Sequence, residues 1–232
     1  MDANRSEGRK VNFLPDGKVT LVDTMGSDLT VVNAARVSFN KHVDTVGEAD
    51  RGLIRFLIEN RHGTPFEHVT FTFHVHCPIF VAREWQRHRI GSFSEVSGRY
   101  SELEPVFWLP EQLRRQVGKA GAYTFEDITD GFVHAEGRDG ISFAYENAWA
   151  SYQYLIEMGV AKEVARAVLP VGTFTQFYWS VNLRSLFNFL SLRNAPQAQR
   201  EIRVLAQQVE DIVSAHMPET MSTWRTAGGT AV

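Results

Sequence analysis

Between Arg83 and Ser101 the chain gathers four arginines, a histidine, two glutamates, four serines and two glycines. From Arg83 to Arg99 four Arg stand against two Glu, a local charge of +2 with His88 neutral, in a chain that carries −3 overall. A positive patch in an acidic protein suits a bounded anion site better than a nucleic-acid surface. Serine hydroxyls, glycine backbone amides and fork-shaped guanidiniums are the groups that hold phosphate.

Three more polar clusters stand out: His62-Gly63-Thr64-Pro65-Phe66-Glu67-His68, Glu163-Val164-Ala165-Arg166, and the run from Asn182 and Arg184 through Asn188 to Arg193. The first two have ordinary readings too. His62 and His68 could cap a helix end or pair with Glu67, and Glu163 and Arg166 could form a surface ion pair three residues apart on a helix. The serines of 92–101 could be loop formers. The last cluster lies among Leu186, Phe187, Phe189, Leu190 and Leu192, where an unpaired buried charge is costly. Arg184 and Asn188 share a helix face, whereas Arg193 lies about 180° from Arg184 around the axis. One helix then presents polar groups in two directions, which two ligands or two subunits explain. His74 and His76 share a strand face, but no further ligands at metal spacing accompany them, so no metal is expected. A Gly-rich dinucleotide fingerprint and a phosphate-binding P-loop are both absent.

These residues need elements to position them. Lys18 to Val22 reads as an early strand, and Asp28 to Ser38 as a helix capped by Ser27. Leu53, Ile54, Phe56 and Leu57 predict a helix over Asp50 to Asn60. Val69 to Cys77 alternates strictly, apolar at odd positions, and predicts a strand with one buried face; Cys77 falls on that face as a core thiol. Pro78 ends the strand and opens a short helix, Ile79 to Arg87, that leads into the arginine-rich stretch. Leu109 to Ile141 reads as variable loop and short helix. Phe143 to Met158 and Lys162 to Val168 read as helices and Phe174 to Ser180 as β-prone. Asn182 to Arg193 is an apolar helix, and Gln197 to His216 an amphipathic one. Helices outnumber strands without regular alternation, which makes this an α+β protein.

The 232 residues, 44% hydrophobic and 22% charged, suit a globular protein with a substantial core. The expectation is one domain over 1–232, with ends fraying at Met1 to about Lys10 and at Thr226 to Val232. A single cysteine excludes an internal disulfide and a cysteine-based zinc site. No apolar signal core or membrane-length run occurs, so neither membrane nor nucleic acid is expected as a partner, and a cytoplasmic, reducing setting follows.

The spacing Arg87-His88-Arg89, seven residues, then Ser97 resembles the signature of flavin-dependent thymidylate synthases. Asn33-Ala34-Ala35-Arg36-Val37-Ser38, His62 to His68, Glu163 to Arg166 and Asn182-Leu183-Arg184-Ser185-Leu186 look like further blocks of that family, in family order. The resemblance covers roughly residues 19–217, with 107–142 the least similar. It implies a sheet of mixed or antiparallel strands flanked by helices, and a homotetramer with active sites at subunit interfaces. It further implies methylation of dUMP to dTMP, with 5,10-methylenetetrahydrofolate giving the carbon and FAD, recharged by NADPH, giving the hydride. Carried over position by position, Glu84, Arg87, Glu95, Val96, Ser97, Gly98, Arg99, Arg166 and Arg193 bind dUMP. Ser38, Thr64, Arg87, His88, Arg89, Glu95, Asn182, Arg184 and Asn188 line the FAD site. Arg193 matches the residue that activates the uracil by favouring its N3-deprotonated form, and His62 a histidine near flavin and folate.

Four positions depart from the family pattern. Glu84 stands where the family often has Gln, and a carboxylate repels phosphate. Phe93-Ser94 replaces a common Tyr-Asn, and Gln197 a His near the adenine side of the flavin. The only cysteine lies on an apolar strand face without an evident base, and Ser97 has none either, so no enzyme nucleophile is expected. The alternatives are an RNA-binding module, disfavoured by the net charge of −3, and a flavoprotein that binds nucleotide without methylating it.

Overall fold

The structure, a computed structural model, describes residues 10–232; the fraying expected before Lys10 lies outside them. The elements run β1 (Asn12–Leu14), β2 (Lys18–Met25), α1 (Asp28–Arg36), α2 (Glu48–Glu59), β3 (Thr70–Pro78), α3 (Ile79–Trp85), β4 (Ser92–Glu95) and β5 (Val106–Trp108). There follow β6 (Arg114–Lys119), β7 (Ala122–Asp127), α4 (Gly131–Glu157), α5 (Lys162–Ala165), β8 (Phe174–Asn182), α6 (Leu183–Arg193), α7 (Arg200–His216) and α8 (Pro218–Thr226). The α+β expectation holds. Among the described residues no helix is long and apolar enough to cross a membrane.

The chain forms two compact units. The larger comprises Lys18–His76, Arg83–Glu95 and Gln176–Val232. Its centre is a four-stranded sheet in the order β2-β3-β8-β4, with β2–β3 and β4–β8 antiparallel. The strict alternation of β3 puts Phe71, Phe73 and Val75 at 0% exposure and leaves Thr72 and His74 half-exposed. Phe177, Trp179 and Val181 of β8 continue the buried face. Trp85, Phe189 and Trp179 close on one another, with ring centroids 4.6–5.2 Å apart, and pin α3 and α6 to the sheet. Leu205, Val209 and Val213 of α7 are fully buried on one stripe.

Trp224 of α8 stacks on Phe187 at 5.1 Å. The C-terminal residues, expected to fray, are tied down: Gly229 N donates to Trp224 O, and Trp224 Nε1 donates to Thr230 O at 2.7 Å.

Among the described residues, the smaller unit comprises 10–17, Cys77–Ala82 and Val96–Thr175. Parallel strands β1 and β5 and the 27-residue α4 meet around Phe107, Trp149, Tyr152 and Ala165. Where variable loop and short helix were expected over 109–141, the chain forms the β6–β7 hairpin and the first turns of the long α4. Every residue of β7 is exposed, so no buried face existed to set an alternating pattern. Helix α4 begins at Gly131, ahead of the expected start at Phe143, where Asp130 caps it, accepting from Phe132 N and Val133 N.

Candidate active site

Asn182 ends β8 and starts α6, its side chain accepting from Ser185 N at 2.9 Å. Leu186, Phe187, Phe189 and Leu190 bury one side of the helix at 0% exposure. The other side forms the wall of a cavity of about 1050 Å³, lined by Asn182, Arg184, Ser185, Asn188, Leu192 and Arg193. Arg87, His88, Arg89 and Ile90 line it from the end of α3, with Glu67, Ala195, Gln197, Ala198, Ala231 and Val232 completing it. The opposed directions of Arg184 and Arg193 therefore do not require two ligands. Both residues flank the Ser185–Asn188–Leu192 stripe, and their long side chains reach one cavity from either edge.

Four guanidiniums against one lining acidic side chain, Glu67, make the cavity suited to a phosphate-bearing ligand. Arg184 is held by Glu67, Nη1 to Oε1 at 2.5 Å, and donates from Nε to Val232 O at 3.2 Å. Gly63 is buried beneath it, and a Cβ there would overlap the Arg184 side chain. The glycine of the His62 block is thus a clearance that lets an arginine cross the backbone.

Arg193 is mostly buried, at 16% side-chain exposure. Its Nε donates to His88 Nε2 at 2.9 Å, Nη1 to Glu84 Oε2 at 3.2 Å and Nη2 to Glu84 O at 3.0 Å. Burial, then the charges of Arg193 and Arg87, push His88 down to about 4. The ring is neutral at neutral pH, and Nε2 is the acceptor that Arg193 requires.

The smaller unit gathers a second cluster. Arg99 Nε donates to Glu163 Oε2 at 3.0 Å, so Glu163 pairs with Arg99 across the fold and not with Arg166 three residues on. Gly98 is buried against Arg166, whose Cδ would lie 3.2 Å from a Cβ at that glycine. Ser97 caps a turn, its Oγ accepting from Arg99 N at 3.3 Å, and Val96 is exposed beside it.

Other predicted residues lie outside the cavity wall. Glu95 accepts from Gln86 Nε2 at 3.0 Å. His62 is exposed with its ring edge-on to Phe56 at 5.4 Å; Ser38 and Thr64 are exposed on short 3₁₀ turns. Sequence reasoning named none of Glu67, Glu163, Ala231 and Val232 as a site residue. Glu67 lay within a recognised block, but the tail carried no signal at all. Cys77 is a fully buried thiol, as its strand position implied, and His74 hydrogen-bonds Gln176 at 2.9 Å. Among the described residues no group of three or more His, Cys, Asp or Glu could hold a metal ion.

Residues 20–219 match the family model described as thymidylate synthase complementing protein. The chain is 46% identical over 212 residues to a flavin-dependent thymidylate synthase of Thermosipho africanus, covering 91% of this chain and 92% of that one. It is 45% identical over 208 residues to a flavin-dependent thymidylate synthase of Thermus thermophilus, covering 90% of this chain and 75% of the relative. Two crystal structures of PolB, a UMP/dUMP methylase from Streptomyces cacaoi bound with 5-Br UMP or 5-Br dUMP, superpose with TM-scores of 0.86 and 0.87 at 40% identity. They cover 96% of this chain and 99% and 100% of theirs. With its arginine-lined cavity and a match spanning nearly its whole length, the chain belongs to the flavin-dependent thymidylate synthase family and is a methyltransferase.

Proposed function

We propose that the protein converts dUMP to dTMP with 5,10-methylenetetrahydrofolate as carbon donor and FAD, recharged by NADPH, as hydride carrier. The observation that carries this reading is the cavity in which Arg87, Arg89 and Arg184 stand beside the anchored Arg193. The donor set fits the flavin dinucleotide: guanidiniums for the pyrophosphate, and Asn182 and Asn188 for polar edges of the cofactor. Bound FAD supplies the hydride chemistry, and this chain supplies position and charge.

Arg87, Glu95, Ser97, Gly98, Arg99 and Arg166 take the nucleotide. Arg193 keeps its charge at any working pH, so its guanidinium stabilises the N3-deprotonated uracil without acting as a proton donor of ordinary strength. His62 positions flavin and folate or moves a proton between them. No enzyme nucleophile takes part: Cys77 is sealed in a strand, and the Ser97 hydroxyl is turned to backbone. The protein works as a homotetramer with active sites at subunit junctions, in a cytoplasmic setting.

The test is dTMP formation from dUMP, methylenetetrahydrofolate and NADPH by flavin-loaded protein. NADPH oxidation without dTMP overturns the reading in favour of a flavoprotein that does not methylate. A parallel reaction with UMP shows whether the range named for PolB extends to this chain.

A further inference from the structure

Arg193 is fixed by two residues of one short segment. Glu84 and His88 flank Trp85, which is fully buried with its ring 4.6 Å from Phe189 on α6. Packing of that tryptophan sets the distance between the end of α3 and the end of α6. It brings three acceptors, the Glu84 carboxylate, the Glu84 carbonyl and His88 Nε2, to the three nitrogens of one guanidinium. With each nitrogen engaged once, the planar group cannot turn about its own bonds without breaking a contact. Among the described residues, these three bonds leave one N–H on Nη1 and one on Nη2 for a ligand.

We propose that Glu84 is a positioning residue, one that sets the direction in which Arg193 meets the uracil and does not itself bind nucleotide. The inference rests on the function proposed above. It resolves the apparent conflict of a carboxylate among phosphate-binding arginines. The Glu84 side chain is 28% exposed and directed to Arg193, so its charge is spent on a guanidinium and not presented to phosphate. A carboxylate beside Arg193 also keeps that residue from capturing the nucleotide phosphate in place of the base.

The experiment compares Glu84→Ala and Glu84→Gln in flavin-loaded protein, reading kcat and KM for dUMP, with calorimetric dUMP binding and flavin absorbance alongside. Misaiming a group that acts in the transition state lowers kcat with little change in binding. Glu84→Ala is expected to lose roughly 100-fold in kcat while the dUMP dissociation constant moves less than about threefold. Glu84→Gln, which keeps an acceptor oxygen at the same reach, is expected to restore most of that loss. In an Arg193→Lys background, where no fork remains to be aimed, Glu84→Ala should cost less than about twofold. If that background turns over too slowly to measure, the split between kcat and binding in the single variants decides.

Full kcat in Glu84→Ala overturns the proposal, and so does a loss confined to dUMP binding, which would make Glu84 a nucleotide contact. A Glu84→Gln as impaired as Glu84→Ala at normal flavin content also overturns it. Unmodified protein that makes no dTMP refutes the function reading, whereas active unmodified protein with an unaffected Glu84→Ala refutes the positioning role alone.

Discussion

Arginine cannot relieve burial by giving up its proton, so wherever it is drawn into a fold its partners must be found. Arg184 takes Glu67 and Arg193 takes Glu84 and His88. Removing Arg193 should abolish dTMP formation; Arg193→Ala is expected to retain bound flavin by its absorbance, because Arg87, Arg89 and Arg184 still line the cavity. His88 carries a pH signature. Its pKa falls to about 4 on folding, below an ordinary 6.5, so the neutral ring favours the folded state. That contribution is complete above 6.5 and is lost as pH falls through the window toward 4. The melting temperature of the unmodified protein should therefore exceed that of His88→Gln by more at pH 7 than at pH 4.5. A gap that stays constant across that range would show that His88 is not held neutral by the fold. At this scale the sequence marked the arginines proposed to bind anions and hid what holds them. Glu163 stood at ion-pair spacing from Arg166, yet tertiary folding carries it to Arg99, and spacing along a helix cannot foresee a partner 64 residues away.

The elements divide in the same way. β3 and α6 were legible because each has a continuous apolar face, and that face is what folding buries. Helix α8 was not. It has nine residues and begins at Pro218, and its cap is supplied by a residue about 190 positions earlier. Buried Asp28 accepts from Glu219 N and Thr220 N at 3.1 and 2.9 Å. Asp28→Ala should lower unfolding free energy by about 1–2 kcal/mol in denaturant titration and leave the cavity intact. Gly63 makes the complementary prediction for the site. A methyl group at that position has to push the Arg184 side chain aside, which removes a charge-assisted contact worth about ten- to hundredfold in flavin affinity. Flavin titration of Gly63→Ala checks it. Stability should barely change, since the displaced atoms belong to a half-exposed, flexible side chain.

At the scale of the whole molecule, the residues assigned to dUMP fall in both compact units. Arg87, Glu95 and Arg193 belong to the larger, Ser97, Gly98, Arg99 and Arg166 to the smaller. A single chain's periodicity and spacing describe what one fold buries, and they are silent on which copy of each unit completes a site. Subunit exchange decides it. Arg166→Ala and Arg193→Ala are each expected to be inactive, one lacking a nucleotide contact and the other the activating guanidinium. If sites form at subunit junctions from residues of different protomers, mixing and reassembling the two variants creates some sites with both arginines intact. Random assembly of equal amounts then restores roughly one quarter of the unmodified dTMP activity, because each intact site needs the right copy from two subunits. If both arginines of a site come from one protomer, every site in the mixture lacks one of them and no activity returns.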